Sequence, residues 1–125
     1  MIEFNDTDKT VILTDNMDIS LVEIVDDEIY ICGDFDAIIL RFNSTKKLKK
    51  DFELFEKLNF FKINDTYYVN IENVISVSLD INYLFINFKH KIDCSIDLNQ
   101  NELKSTYKSI LNHIKRKNKL NILSK

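Results

Sequence analysis

The strongest constraint on this chain is the way its hydrophobic period changes along the sequence. Apolar side chains first recur at every second position: Val22 and Ile24, then Ile29 and Ile31 before Gly33, then Ile38, Leu40 and Phe42 opposite Ala37, Ile39 and Arg41. Period two belongs to strands that bury one face. From Asn43-Ser44-Thr45 the spacing becomes helical, with Leu48, Phe52, Phe55 and Leu58 on one side and Lys46, Lys47, Lys49 and Lys50 on the other. A polar cap before such a stripe predicts a short amphipathic helix.

Alternation returns in Tyr67, Val69 and Ile71 and in Ile75, Val77 and Leu79, whose neighbours Ser76 and Ser78 should face the other way. Asp80-Ile81-Asn82 then reads as a hairpin loop into Leu84, Ile86 and Phe88, and Lys89-His90-Lys91 as a turn into Ile92, Cys94 and Ile96. Asn99 with Glu102 three residues later has the form of a capping box. It opens a final helix striped by Leu103, Tyr107, Ile110 and Ile114, which ends in the basic run Lys115-Arg116-Lys117-Asn118-Lys119. The expected fold is mostly β with two helices (α+β): antiparallel sheets, a short central helix and a C-terminal helix.

With 125 residues, no Pro, one Gly and no low-complexity linker, the sequence offers no point at which to divide it. One domain over 1–125 is expected, with its core at about 18–112 and a basic helix and tail at about 113–125. No apolar run approaches a membrane span and the first residues lack a secretory pattern, so a cytoplasmic location is expected. The net charge of −3 conceals an uneven distribution, since residues 1–36 carry eleven acidic side chains and one lysine while the remainder has a balance of +7. Such asymmetry suits a polyanion on one face, and equally suits solvated loops beside a basic helix.

Catalytic chemistry finds no footing in these residues. The two histidines, His90 and His113, have no Ser or Cys in a nucleophile elbow beside them. A single glycine cannot build a phosphate-cradling loop. Cys32 and Cys94 lack metal-ligand spacing and read as small core residues. The carboxylates of Asp26-Asp27-Glu28 and of Asp34 and Asp36 lack the spacing of a calcium loop and read as solvated turns. No enzyme activity, cofactor or metal is expected.

The stretch from Phe60 to Val74, FFKINDTYYVNIENV, is the informative one. It resembles the segment F-x-R-x-H-R-S-Y-x-V-N-x-x-x-I that follows the helix in LytTR-type DNA-binding domains of bacterial transcription regulators. Phe60, Tyr67, Val69 and Asn70 match, and Lys62, Thr66 and Val74 are conservative replacements. Glu28-Ile29-Tyr30-Ile31 looks like the family's E-I-x-Y-I strand, and Cys94-Ser95-Ile96 like the strand before its last basic contact. The resemblance covers about 18–112. On their own, Tyr67, Val69 and Val74 read as core and Asn70 as a turn residue bonded to its own backbone.

The resemblance implies DNA contact at three places: after an early strand, loosely near Asp36; at a pair that falls on Asn64 and Asp65; and after the last strand, at Asp97. Where the family carries basic residues, this sequence thus carries carboxylates. Each bidentate base contact contributes about 1–3 kcal/mol of discrimination, so losing two removes much of the roughly 4–10 kcal/mol that separates specific from non-specific binding.

Two functions remain open. One is a DNA-binding transcription regulator without a receiver domain, using Lys62, Asn64, Thr66, Lys89 and Lys91 at the DNA and Lys115, Arg116 and Lys117 on phosphates. The other is a degenerate LytTR-like protein that binds a protein partner, as an antagonist, an accessory factor or a DNA mimic, through Asp65, Asp97 and its acidic N-terminal face. A homodimer is compatible with both.

Overall fold

The computed structural model describes residues 1–14, 17–89 and 93–123 and, in the final helix, side chains as far as Lys117. The chain groups into two compact units, Met1–Asn70 and Ile71–Lys125. Among the described residues no helix is long and apolar enough to cross a membrane.

The first unit opens with a hairpin, β1 (Ile2–Asn5) and β2 (Thr10–Leu13), that the period-two reading above does not contain. Its apolar signal is short: Phe4 and Leu13 are buried, while Ile12 between them in register is half exposed. The connecting loop is held by the Asp6 carboxylate, which accepts the backbone N–H of Asp8 (2.7 Å), Lys9 (2.6 Å) and Arg41 (3.0 Å). Burial works to raise the Asp6 pKa, but these three donors and the Lys9 charge outweigh it and hold the carboxyl below its ordinary value.

β3 (Ile19–Val25), β4 (Glu28–Gly33) and β5 (Phe35–Arg41) follow, with β6 (Phe61–Lys62) and β7 (Tyr67–Val69) after the helix. They form a five-stranded antiparallel sheet in the order β5-β4-β3-β7-β6. The β3–β4 turn has two residues, with Asp26 in the left-handed region at φ 55°. Gly33 is required where it stands, since a Cβ there would lie 2.2 Å from the Asp18 carbonyl oxygen.

α1 (Thr45–Phe52) starts at Ser44, whose hydroxyl accepts the Lys47 N–H at 3.3 Å, and tightens into a 3-10 turn over Glu53–Leu58. Leu48, Phe52 and Phe55 are buried with Val22, Ile29, Ile31, Leu40 and Tyr68 of the sheet and Phe4 and Leu13 of the hairpin. Aromatic rings fill much of this core: Phe4 stacks on Phe55 at 5.3 Å and Phe52 meets Tyr68 at 4.6 Å.

In β7 the core residues differ from expectation. Tyr68 lies in the core beside the helix and Val69 is buried on the other face, whereas Tyr67 is half-buried beside Glu23. The Asn70 amide donates to the Ile19 carbonyl at 2.8 Å. With the Asn70 N–H donating to the Ser20 carbonyl at 2.9 Å, this residue ties the end of β7 to the start of β3.

The second unit is a three-stranded meander, β8 (Val74–Leu79), β9 (Tyr83–Phe88) and β10 (Asp93–Asp97), with α2 (Gln100–Leu123) against β8 and β9. Leu84, Ile86, Phe88, Cys94 and Ile96 alternate inward and pack with Leu103 and Ile110 of the helix. Asn99 caps α2 as expected, accepting the Glu102 N–H at 2.9 Å.

β8 departs from the simple alternation. Its register shifts between Val74 and Ser76, so Ile75 stands 66% exposed and Val74 takes the inward place. Cys94 is buried, whereas Cys32 on β4 is half-buried; neither is in a disulfide.

Candidate nucleic-acid interface

The residues singled out in sequence fall into two groups, one in each unit. Lys62, Asn64, Asp65 and Thr66 share the tight loop between β6 and β7. The loop is closed by the Ile63 N–H on the Tyr67 carbonyl at 3.0 Å and tied to β3 by the Ile24 N–H on the Thr66 carbonyl at 2.9 Å. Inside it, Asn64 Oδ1 accepts the N–H of Thr66 (2.8 Å) and of Tyr67 (3.0 Å), an Asx turn that holds the loop in shape. Lys62 Nζ lies 3.4 Å from Asp65, whose side chain is 98% exposed. A surface pair of this kind contributes only about 0–1 kcal/mol of stability, but it balances the loop's one cation with a carboxylate.

The second unit separates the remaining residues by charge. Asp97 ends β10 opposite Tyr83 at the start of β9, while Lys89 directly follows the end of β9. Six residues of strand separate Tyr83 from Lys89, which is roughly 20 Å. α2 runs back along the sheet: Leu103 near its start shares a concavity with Leu79 and Ile81, whereas Lys117 donates to the Glu72 carbonyl at 2.8 Å, just before β8.

Lys115 and Arg116, both exposed, therefore stand at the same end as Lys89. Lys117 is occupied by Glu72, whose carboxylate lies 3.8 Å away. Lys91 lies outside the described residues, as do the side chains beyond Lys117. One end of the unit is basic, and the other carries Asp97 and Asp80.

Nothing in the linear sequence announces this polarity. Lys89 and Lys115 come together only because α2 is antiparallel to β8. The exposed apolar tip at Leu79 and Ile81 also escaped the reading, although an isoleucine between Asp80 and Asn82 in a hairpin loop is an available signal. Asp26 and Asp27 are exposed, as a solvated turn should be, and border an open cavity of about 340 Å³ with Ser44, Thr45, Lys49 and Asp65.

No family model and no curated protein matches the sequence. Among solved structures the chain is similar to the "LytTr DNA-binding domain of putative methyl-accepting/DNA response regulator from Bacillus cereus", at 12% identity and a TM-score of 0.57. The chain has a LytTR-type fold. The likeness spans 88% of this chain and 94% of that one, and so includes strands and helices of both units. At 12% identity it concerns backbone architecture, which agrees with the FFKINDTYYVNIENV motif serving mainly to set β6, β7 and their loop.

Proposed function

We propose that the chain is a DNA-binding transcription-regulator module on the LytTR fold, gripping the phosphate backbone through the basic end of its second unit. The observation that carries this reading is the gathering of Lys89, Lys115 and Arg116 at one end of the three-stranded sheet, with no ion-pair partner for them among the described residues. The similarity to a LytTr DNA-binding domain supports it, and its 88% span supports treating both units as one module. Base reading is expected to be weak, because the Asn64 carbonyl is spent on the loop and Asp65 balances Lys62. Lys62 and Thr66 then contribute at the groove edge.

Three phosphate contacts release about three counterions, giving a slope of about −2.7 for log affinity against log salt and about a 40-fold loss between about 50 and 200 mM. Titrating mixed-sequence duplex DNA at stepped salt measures this slope. A Lys89→Ala, Lys115→Ala, Arg116→Ala triple variant should flatten it. Absence of binding at low salt, or a slope unchanged in the variant, refutes the reading.

A specific observation favours a second reading beside it. Carboxylates occupy two positions that the LytTR resemblance gives to DNA contact, Asp65 and Asp97, and both are exposed. On that reading the fold meets a protein.

A further inference from the structure

The end of the second unit away from Lys89 leaves apolar side chains in water. Ile81, at the tip of the β8–β9 hairpin, is 75% exposed, and Leu79 beside it is 40% exposed. Polar residues suit such a tip, so exposed isoleucine there has no benefit for the turn. The tip is firmly held nonetheless. Asp80 accepts the Ile81 N–H at 2.6 Å, and its own N–H donates to the Tyr83 carbonyl at 2.9 Å.

Tyr83 and Phe85 are half-buried on the sheet face away from α2, in register with Asp97 and Ser95 of β10. Two open concavities flank the tip. One of about 290 Å³ is lined by Ser78, Leu79, Asp80, Tyr83 and Phe85; the other, of about 240 Å³, is lined by Leu79, Asp80, Ile81, Gln100, Leu103 and Lys104.

The sign of the charge selects the occupant. Asp80 and Asp97 border the aromatic pair, with Lys104 on the helix side. DNA is repelled by these carboxylates. A second copy placed across a two-fold axis would set Asp80 and Asp97 against themselves. Arginine, by contrast, stacks on aromatic faces while its guanidinium pairs with a carboxylate.

We propose that this end of the sheet docks a basic amphipathic segment of a partner protein. Its apolar side chains cover Leu79 and Ile81, and its arginines lie over Tyr83 and Phe85 and pair with Asp97 and Asp80. The inference rests on the protein-binding reading above and gives it a surface and a partner chemistry.

The test is fluorescence anisotropy with the full chain and a labelled peptide of about twelve residues alternating leucine and arginine, with a glutamate-for-arginine peptide as control. The arginine peptide should bind and the glutamate peptide should not. Ile81→Ser with Asp97→Lys should weaken binding at least tenfold, with an unchanged circular dichroism spectrum showing that the exposed positions leave the fold intact. Unchanged affinity in that variant overturns the surface and moves the protein-binding reading to the acidic residues 1–36. Failure of the wild type to bind the arginine peptide overturns the proposal, whereas the protein-binding reading itself stands or falls on the salt-dependent DNA titration above. If Ile81→Ser alone lowers affinity for duplex DNA tenfold, the end is a nucleic-acid contact and the proposal falls.

Discussion

Tyr68→Phe should make this protein more stable, which is unusual for a change at the centre of a core. The Tyr68 side chain is fully buried among Phe52, Phe55 and neighbours, and its hydroxyl has no hydrogen-bond partner among the described residues, the nearby Glu56 carboxylate included. A buried, unsatisfied hydroxyl costs about 1–3 kcal/mol, so deleting one oxygen should recover about 1–2 kcal/mol at pH 7 while the ring contacts remain.

The same group makes a second, pH-dependent statement. Burial first, and then the negative charges of Glu56, Glu53 and Asp65, push the phenol up to about 12 from its ordinary 10.0. The folded state therefore holds the proton more tightly than the unfolded state. Relative to neutral pH, stability therefore falls as the pH climbs from 10 to 12, by up to about 3 kcal/mol, because the unfolded chain loses this proton first. Urea unfolding of wild type and variant at pH 7 and near pH 11 measures both effects, and the gap in favour of phenylalanine should widen at the higher pH. A variant less stable than wild type by more than about 0.5 kcal/mol at pH 7, or a gap that does not grow, refutes the reasoning.

Other changes test the framework around the site. Gly33→Ala places a methyl 2.2 Å from the Asp18 carbonyl and 2.5 Å from the Phe35 ring; the carbonyl is backbone and cannot swing away, so thermal unfolding should show a loss of about 2 kcal/mol or more. Asn70→Ala removes the amide that joins β7 to Ile19 and should cost about 1–2 kcal/mol in denaturant unfolding. Asp6→Ala frees three N–H donors and should loosen the β1–β2 loop, with faster hydrogen exchange at Asp8, Lys9 and Arg41. Because the Asp6 carboxyl is held below its ordinary value, its contribution is present at neutral pH and is lost as the pH falls through the carboxylate range, so wild type and Asp6→Ala should converge in stability in acid.

The alternation of period two, the capped helical stripe after Ser44 and the Asn99 cap were enough to place most strands and both helices. Each is a local pattern whose burial follows from its own spacing, as in Leu84, Ile86 and Phe88. The motif from Phe60 to Val74 likewise led to the LytTR architecture. What alternation could not foresee were the β8 register shift that exposes Ile75 and the cross-strand grip of Asn70 on Ile19, because a bulge and a long-range hydrogen bond depend on the partner strand.

The candidate site was less legible still. The sequence supplied the residues: lysines at 89 and 115, aspartates at 80 and 97, an isoleucine at 81. Their meaning as a basic end and an acidic, apolar end depends on α2 turning back along β8, which brings charges 26 positions apart to one place and holds Asp97 roughly 20 Å from Lys89. Local chemistry fixes which residues are charged or apolar. Which of them act together is decided by distance in space, and only the tertiary structure sets that.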